Sequence, residues 1–524
     1  MFSNNNNFYK LSKLSSLLLF RCHFNQIHYI SSNKNSTIKQ IQTFENSILI
    51  NWTNNNNHKN NNNNNNNSIF SKFNYLWLRD NCQCSECIHP DSRQKLFSSG
   101  QIPLDIKPIL INVVNNKENK DEEEIIEITW NKSLLKSIPS INSLNSLNSF
   151  NFPNNSPSNS PINLQQKGKD DDEKTHKSKF PISFLFHHNS KHSSNQFRFN
   201  NLKPITWNRD SIIESKNLWI NYNDFMNSDI ELLKCLKQLW DYGLVFLKNV
   251  PINKLPITEE NNNMMNNDQG IINVVERIGT IRSTFYGKIF DVISIPGAKN
   301  IAYTNLSLGL HMDLLYYQVP PGLQFLHCLK NSVKGGSSIF ADSFKAIENF
   351  KNIYPQDFDI LTKIPLTFHY INDGHHMHYN QYVIELDKDV DKDDNSNNPI
   401  ISVNYSPPFQ GPIEALLPSS SSSNNNNIDD YKDEKDEEDD DKRIFSFYQA
   451  YQRFCAFIED PELKYELTLK PGDLVIVINR RVLHGRNSFD ADSGERYLKG
   501  AYLELCEFKD KFRVLMKKYN QFNN

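Results

Sequence analysis

A histidine and an aspartate separated by one residue, with a second histidine far downstream, form the pattern in this chain best suited to metal chemistry. His311 and Asp313 would share one face of a β-strand. His484 lies near the end of the run 474–486, whose pattern is typical of a buried strand. Two imidazoles and one carboxylate are the set that binds non-haem Fe(II) and leaves positions open for reactants.

An arginine lies downstream of these three residues in the sequence. Arg496 comes twelve residues after His484 and is suited to clamping a carboxylate through two hydrogen bonds. The histidine–aspartate pair alone is a weak signal, because a chain with 15 His contains about one such pair by chance. His89-Pro90-Asp91 is a second pair, and its central proline argues against a strand there.

Several segments downstream of residue 300 together resemble the γ-butyrobetaine dioxygenase and trimethyllysine dioxygenase family. These segments are 302–304, 311–317, 321–328, 335–336, 482–486 and 499–502. Members of that family are Fe(II)- and 2-oxoglutarate-dependent hydroxylases of carnitine synthesis, and the resemblance extends from about Phe73 to Leu515. It implies a fold that is mainly β with flanking helices: a double-stranded β-helix (jelly-roll) catalytic domain preceded by a small β-rich zinc-binding domain.

The resemblance also implies roles for these residues. His311, Asp313 and His484 would hold Fe(II), and Arg496 would pair with the distal carboxylate of 2-oxoglutarate. Ser338 matches a hydroxyl residue on that carboxylate in the related taurine dioxygenase group, the alternative being a strand serine that faces solvent. The implied cofactors are Fe(II), 2-oxoglutarate, ascorbate and a structural zinc, with O₂ as co-substrate.

Aromatic residues recur in two stretches before His311, which we predict as strands. Aromatic rings in strands usually form core, but a quaternary ammonium is also held by ring faces through cation–π attraction. The family binds its trimethylammonium group in an aromatic cage and its substrate carboxylate through an asparagine. The resemblance carries the cage to Tyr286, Tyr303 and Tyr502, with Phe290 at the position of a family tryptophan, and the carboxylate contact to Asn300.

Three cysteines occur within six residues. Cys82, Cys84 and Cys87 cannot all pair with one another, but they can share one tetrahedral Zn²⁺ with a fourth ligand. The alternative is three unrelated buried cysteines. The resemblance favours a closed structural site of three cysteines and one histidine. His176 is the best match for that histidine, and His89, His187 and His188 are the alternatives.

Composition limits the remaining classes of function. A net charge of −3 and a pI of about 6.6 give no basic footprint for nucleic acid, and no apolar run has membrane length. Eight cysteines fit a reduced compartment better than a disulfide framework. Residues 1–44 contain five basic residues and no acidic one, which predicts a mitochondrial (matrix) presequence. The alternative is an Asn-rich disordered tail on a cytoplasmic protein.

The expected organisation is a zinc-binding domain over 45–196 and a dioxygenase domain over 215–515, in a homodimer as is typical of the family. Within the second domain, 418–442 is expected to be a disordered insertion. The periodicity predicts strands at 244–247 and 323–329. It predicts helices over 229–243, 271–279, 344–350, 357–364, 444–457 and 508–519. The segment 374–378 contains three histidines and is predicted as a polar turn without metal.

The expected reaction is hydroxylation of γ-butyrobetaine to L-carnitine. The carnitine enzymes carry an Asn-Asn pair and an arginine where this chain has Ser406-Pro407-Pro408, which leaves trimethyllysine or another small acid as the alternative substrate. A zinc-stabilised, non-catalytic binding protein is the competing class. The complete set of iron ligands together with Arg496 argues against it.

Overall fold

The computed structural model describes residues 38–52, 69–115, 124–138, 175–199, 202–252, 268–294, 300–387, 399–417 and 434–520. Residues 1–37 of the predicted presequence and 418–433 of the predicted insertion lie outside these ranges. The chain divides into two compact units, Met1–Asn201 and Leu202–Asn524. No helix in the described part of the chain is long and apolar enough to cross a membrane.

The first unit contains two three-stranded antiparallel sheets, β1-β2-β3 and β4-β5-β6. Alternate residues of β5 (Ile126, Ile128 and Trp130) are fully buried, as expected for a strand with one face on a core. The strands are β1 (Ile38–Thr43), β2 (Ser47–Trp52), β3 (Ile69–Asn74), β4 (Pro108–Asn115), β5 (Glu124–Trp130) and β6 (Lys177–Pro181). The helices are α1 (Tyr75–Asp80), α2 (Ile182–His187) and α3 (Lys191–Phe197).

The first strand corrects one boundary. β1 falls inside the segment 1–44 that was expected to be a presequence, yet it pairs with β2 along its length. Ile38 is buried in the core of this unit and Ile41 packs against that core. Residues 38–44 therefore belong to the folded unit, because their apolar side chains complete its core.

The second unit contains a seven-stranded sheet and a four-stranded sheet, the expected jelly-roll arrangement. The larger sheet has the order β10-β23-β12-β20-β8-β7, with β9 also pairing β23, and the smaller has the order β11-β21-β14-β19. The large-sheet strands are β7 (Trp219–Asn221), β8 (Leu244–Lys248), β9 (Ile281–Arg282), β10 (Ile289–Ile293), β12 (Leu323–Asn331), β20 (Leu474–Ile478) and β23 (Arg496–Leu503). The small-sheet strands are β11 (Leu308–His311), β14 (Ser338–Asp342), β19 (Tyr465–Leu467) and β21 (Val482–Arg486).

Shorter strand pairs and eight helices complete the described part of this unit. The pairs are β13 (Lys334–Gly335) with β22 (Phe489–Asp490), β15 (Pro365–Asn372) with β16 (His375–Tyr382), and β17 (Ile384–Leu386) with β18 (Ile400–Val403). The helices are α4 (Arg209–Ile213), α5 (Tyr222–Asn227), α6 (Asp229–Tyr242), α7 (Gln269–Ile278), α8 (Ser343–Ile353), α9 (Pro355–Leu361), α10 (Glu434–Ile458) and α11 (Leu505–Asn520). The predicted fold class is confirmed, with helix and strand present in similar amounts.

Three predicted elements are wrong in part. The segment 300–304 is not a strand: Ile301–Tyr303 forms a 3₁₀ turn, because the Asn300 side chain caps it by accepting from the Ala302 N–H. The segment 374–378 is mostly strand, since β16 begins at His375 after a hairpin turn at Asp373 and Gly374, both with positive φ. The segment 434–442, predicted as the end of a disordered insertion, is helical and forms the beginning of α10.

Candidate functional site

His311, Asp313 and His484 come together although they are far apart in the chain. β11 and β21 are neighbours in the smaller sheet, and their register places His311 directly opposite His484. Asp313 Oδ1 lies 3.4 Å from His311 Nε2 and 3.7 Å from His484 Nε2. All three ligand atoms lie within 4.8 Å of one another, so one metal ion can reach all of them.

The backbone at Asp313 differs from the expectation. β11 ends at His311, so Asp313 does not sit on the strand but on the bend that follows it. The buried Asn479 holds this bend: its Oδ1 accepts from the Asp313 N–H at 2.8 Å, and its Nδ2 donates to the Asp313 carbonyl at 3.0 Å. Leu314, the next residue, has a φ of 59°, a conformation that costs energy for a branched side chain.

Asp313 and His484 have the protonation state that a cation requires. Burial alone raises the pKa of the Asp313 carboxyl, but the adjacent His484 and His311 imidazoles and the Tyr502 hydroxyl lower it to about 2. Burial and the neighbouring His311 lower the pKa of His484 to about 3, so its imidazole is neutral at physiological pH. His311 Nδ1 lies 2.9 Å from the Gly309 carbonyl, a hydrogen bond that leaves Nε2 free to coordinate. This donor set fits a ferrous ion.

A cavity of about 820 Å³, its open mouth included, adjoins the three ligands and is lined by both sheets. Its walls contain six Phe and Tyr residues, among them all the predicted cage residues. The Phe290 and Tyr502 rings stack with centroids 5.0 Å apart, and Tyr286 lies 6.1 Å from Phe290. Asn300 donates to the Tyr286 hydroxyl at 3.0 Å. The aromatic lining residues are Tyr286, Phe290, Tyr303, Tyr316, Phe409 and Tyr502.

Two guanidiniums line the same cavity. Arg496 and Arg486 are both at least nine-tenths buried, and each has a buried Nε with no hydrogen-bond partner among the described residues. Burial, and then the charge of Arg496, lower the pKa of Arg486 to about 10. Ser338 also lines the cavity, directly opposite Arg486 in the strand register. An acid bound here would satisfy these orphaned donors and neutralise the two charges.

The predicted zinc ligands also come together. His176 Nε2 lies 3.4 Å from Cys82 Sγ, 3.7 Å from Cys84 Sγ and 3.5 Å from Cys87 Sγ. In a tetrahedral zinc site the bonds are about 2.3 Å to sulfur and about 2.0 Å to nitrogen. The distances expected between the nitrogen and the sulfur atoms are then close to those observed here. Hydrogen bonds from the Cys84 and Cys87 thiols hold the pKa of Cys82 well below its ordinary value. The four residues therefore fit a closed zinc site.

Other contacts support this assignment of ligands. The buried Arg79 donates to Cys87 Sγ at 3.3 Å and supplies a positive charge beside the three sulfurs. The alternative histidines have different partners. His89 Nδ1 accepts from the Asp91 and Ser92 N–H groups, His187 stacks on Phe197, and His188 packs against Phe184.

Sequence comparisons agree with the geometry. Residues 204–502 match the model of the taurine catabolism dioxygenase TauD, TfdA family, and residues 38–138 match the γ-butyrobetaine hydroxylase-like N-terminal domain. Dioxygenase str8 of Strobilurus tenacellus is 31% identical over 85% of both chains. The γ-butyrobetaine dioxygenase of Pseudomonas sp. (strain AK-1) is 26% identical over 85% of this chain and 91% of its own. Human mitochondrial trimethyllysine dioxygenase is 24% identical over 85% and 83%.

A jelly roll that brings two histidines and an aspartate to an arginine-lined cavity defines a non-haem iron, 2-oxoglutarate-dependent dioxygenase. The chain belongs to the TauD, TfdA family of such enzymes, in the branch of the γ-butyrobetaine and trimethyllysine dioxygenases. The family's cofactors are Fe(II) and 2-oxoglutarate, which when bound supply the activation of O₂ for oxygenating a C–H bond. The residues of the chain bind and orient the reactants and exclude water.

Three of the polar residues at the site were not among the predicted ones. Gln324 and Asn479 contact Asp313, and Arg486 adds the second guanidinium. Gln324 interrupts an apolar strand in Leu323-Gln324-Phe325, and a polar residue at such a position is a usable signal, because it must find a buried partner. Arg486 lies two residues after His484 on the same strand and therefore on the same face.

Proposed function

We propose that this enzyme hydroxylates a small substrate carrying a trimethylammonium group, with γ-butyrobetaine, converted to L-carnitine, as the first candidate. The aromatic rings beside the iron ligands carry this proposal. Tyr286, Phe290, Tyr303 and Tyr502 line the same cavity as His311 and His484. Ring faces attract a desolvated quaternary ammonium by about 2 kcal/mol, whereas such a cation offers no hydrogen-bond donor to a polar site.

The roles proposed for the site residues follow from their positions. His311, Asp313 and His484 hold Fe(II), and Arg496 with Ser338 binds the distal carboxylate of 2-oxoglutarate. Asn300 lies at the cage and is proposed to contact the carboxylate of the substrate. Ascorbate is proposed to keep the iron ferrous.

A second candidate substrate is favoured by one observation. Phe409 projects into the cavity and packs edge-on against Tyr316 with centroids 5.3 Å apart. This ring follows Ser406-Pro407-Pro408, in the region where the carnitine enzymes carry polar residues. This wall differs from the corresponding polar region of the carnitine enzymes, so trimethyllysine or another small acid is the alternative substrate that we propose.

Three further properties belong to the proposal. Cys82, Cys84, Cys87 and His176 bind a structural zinc ion, for which their geometry is suited. The N-terminal stretch without acidic residues directs the protein to the mitochondrial matrix, as the names of the mammalian trimethyllysine dioxygenases suggest. The enzyme assembles as a homodimer, which the family resemblance suggests.

One assay separates these substrates. Purified enzyme with Fe(II), 2-oxoglutarate, ascorbate and O₂ is offered γ-butyrobetaine and trimethyllysine in parallel, and mass spectrometry detects products that gain one oxygen atom. We expect such a product from a trimethylammonium substrate, formed together with succinate, and none from a His311→Ala variant. Oxygenation of neither compound, nor of other trimethylammonium acids, would refute the proposed substrate class. Failure of anaerobically purified protein to bind Fe(II) would favour the non-catalytic alternative.

A further inference from the structure

Gln324 and Tyr502 occupy directly opposed positions on neighbouring strands of the larger sheet. Gln324 is in β12 and Tyr502 is in β23, and the register pairs the two residues. Each side chain is 3% exposed, and both line the cavity. Because opposed residues of paired strands share one face of a sheet, these two side chains reach the same point.

That point is a single oxygen of the iron ligand. The Tyr502 hydroxyl donates to Asp313 Oδ2 at 2.8 Å, and Gln324 Nε2 donates to the same oxygen. The other oxygen, Oδ1, is the one that faces the two imidazole nitrogens. The two carboxylate oxygens therefore have different surroundings. Oδ2 accepts hydrogen bonds from protein donors, and Oδ1 faces the position of the metal.

The orientation of the Gln324 amide follows from chemistry. An ionised carboxylate only accepts hydrogen bonds, so the amide must turn its NH₂ group towards Asp313. Its Oε1 is then directed elsewhere, and it has no hydrogen-bond partner among the described residues. A buried amide with one unsatisfied atom is costly. The cost is explained if the hydrogen bond donated by the Gln324 amide serves the iron ligand.

We propose that Gln324 and Tyr502 are positioning residues that hold the Asp313 carboxylate so that Oδ1 would be available to the iron and Oδ2 would be kept from it. A carboxylate free to rotate could place both oxygens on the metal and occupy a position needed by 2-oxoglutarate or O₂. Tyr502 has a second contact, because its ring stacks on Phe290 in the cage. Where the cage binds substrate as proposed above, Tyr502 connects the substrate directly to the iron ligand.

The test compares Tyr502→Phe, Gln324→Met and the double variant with the wild-type protein. Tyr502→Phe keeps the ring and removes only the hydroxyl, and Gln324→Met keeps the length of the side chain and removes the donor. Anaerobic calorimetric titration with Fe(II) measures metal affinity. We expect each single variant to bind Fe(II) about 10- to 100-fold more weakly, as is typical when a hydrogen bond to a metal ligand is lost, and the double variant to bind more weakly still.

Gln238→Met is the matched control. Gln238 is also 3% exposed and its Oε1 and Nε2 are each hydrogen-bonded, but to Ser215 and the Leu244 carbonyl rather than to the site. Thermal unfolding of each variant separates a loss of fold from a loss of metal affinity. A folded Tyr502→Phe protein with wild-type Fe(II) affinity would overturn the proposal, even if Gln324→Met does not fold. The titration contains no trimethylammonium compound, so its result is independent of the proposed substrate.

Discussion

At the scale of single residues, the cavity concentrates positive charge. Arg486 and Arg496 have no carboxylate partner among the described residues, and both stack against the Phe489 ring, at 4.9 and 5.7 Å from its centroid. Arg486 also donates to the Thr304 carbonyl at 2.9 Å, which fixes its position. Two buried guanidiniums without a carboxylate partner are unfavourable unless an acidic ligand binds beside them. They therefore indicate where a carboxylate ligand binds.

Arg496→Gln tests this assignment. Loss of a buried, charged hydrogen-bond partner costs about 2–5 kcal/mol, so we expect the dissociation constant of 2-oxoglutarate to rise by about 30-fold or more. Fe(II) affinity in the absence of 2-oxoglutarate should stay unchanged, because Arg496 is not an iron ligand. Anaerobic titration of the metal-free variant with Fe(II), and of the Fe(II)-loaded variant with 2-oxoglutarate, measures the two constants. Arg209→Gln, at an exposed ion pair with Asp210, is the control. Unaltered 2-oxoglutarate binding in Arg496→Gln would contradict the assignment.

At the scale of elements, β23 shows how one strand supplies several parts of the site. Arg496, Leu498 and Tyr502 line the cavity from alternate positions, and Gly500 lies between them on the same face. A Cβ at Gly500 would lie 2.2 Å from the Phe290 ring. The absence of a side chain at position 500 is therefore what allows the Phe290 ring to occupy the cage.

Gly500→Ala should displace the Phe290 ring without touching the metal ligands. Overpacking of this kind costs about 1–3 kcal/mol, so we expect the KM for the trimethylammonium substrate to rise by about tenfold. Fe(II) and 2-oxoglutarate affinities should remain at wild-type values. Steady-state kinetics and anaerobic titration measure these quantities. Gly100→Ala is the control, because an added Cβ there makes only ordinary contacts, the nearest at 3.6 Å to Ile138. An unchanged KM in Gly500→Ala would show that the Phe290 ring does not contact the substrate.

The sequence predicted those elements whose signals are local. The helix 229–243 is α6, ended by Gly243 in the left-handed conformation, and the strand 244–247 is β8. The run 474–486 was predicted as one strand, but it is two, β20 in the large sheet and β21 in the small one. The chain changes sheet at Asn479, the first of three polar residues that interrupt the apolar run between β20 and β21. Tertiary contacts determine where the chain changes sheet, because the Asn479 side chain hydrogen-bonds to both Asp313 and the Pro321 carbonyl.

The candidate site was predictable in its ligands and less so in the residues that support them. The types and spacing of His311 and Asp313 are visible in the sequence, as are the three cysteines. The pairing of Gln324 with Tyr502 depends on the register between β12 and β23, which separates them by 178 positions in the chain (502 − 324). Such a contact is a property of the folded sheets, and no periodicity in either strand indicates it.

At the scale of the whole molecule, each unit contains one cluster of metal-ligand residues in the described part of the chain. In the first unit the cluster connects the turn after α1 to the start of β6, which are about ninety residues apart. A metal ion that fixes such distant segments contributes folding free energy, because the unfolded chain does not hold the site. The first unit is therefore expected to depend on zinc, and the second on Fe(II) for activity.

Cys87→Ser tests the zinc site. We expect the zinc content to fall from about one ion per chain to near zero, and the first unit to unfold at a lower temperature, because the ligand set is incomplete. Elemental analysis and calorimetry measure the two effects. Cys506→Ser is the control, since Cys506 is exposed and lies outside the cluster. Retention of stoichiometric zinc in Cys87→Ser would contradict the assignment.

The central claim is that His311, Asp313 and His484 form one ferrous site. Anaerobic titration with Fe(II) in the presence of 2-oxoglutarate, comparing wild-type protein with Asp313→Ala, tests it most directly. We predict one tightly bound Fe(II) per chain in the wild-type protein and at least a 100-fold weaker binding in the variant, because one of three protein ligands is lost. Equal Fe(II) stoichiometry and affinity in a folded Asp313→Ala protein would contradict the claim.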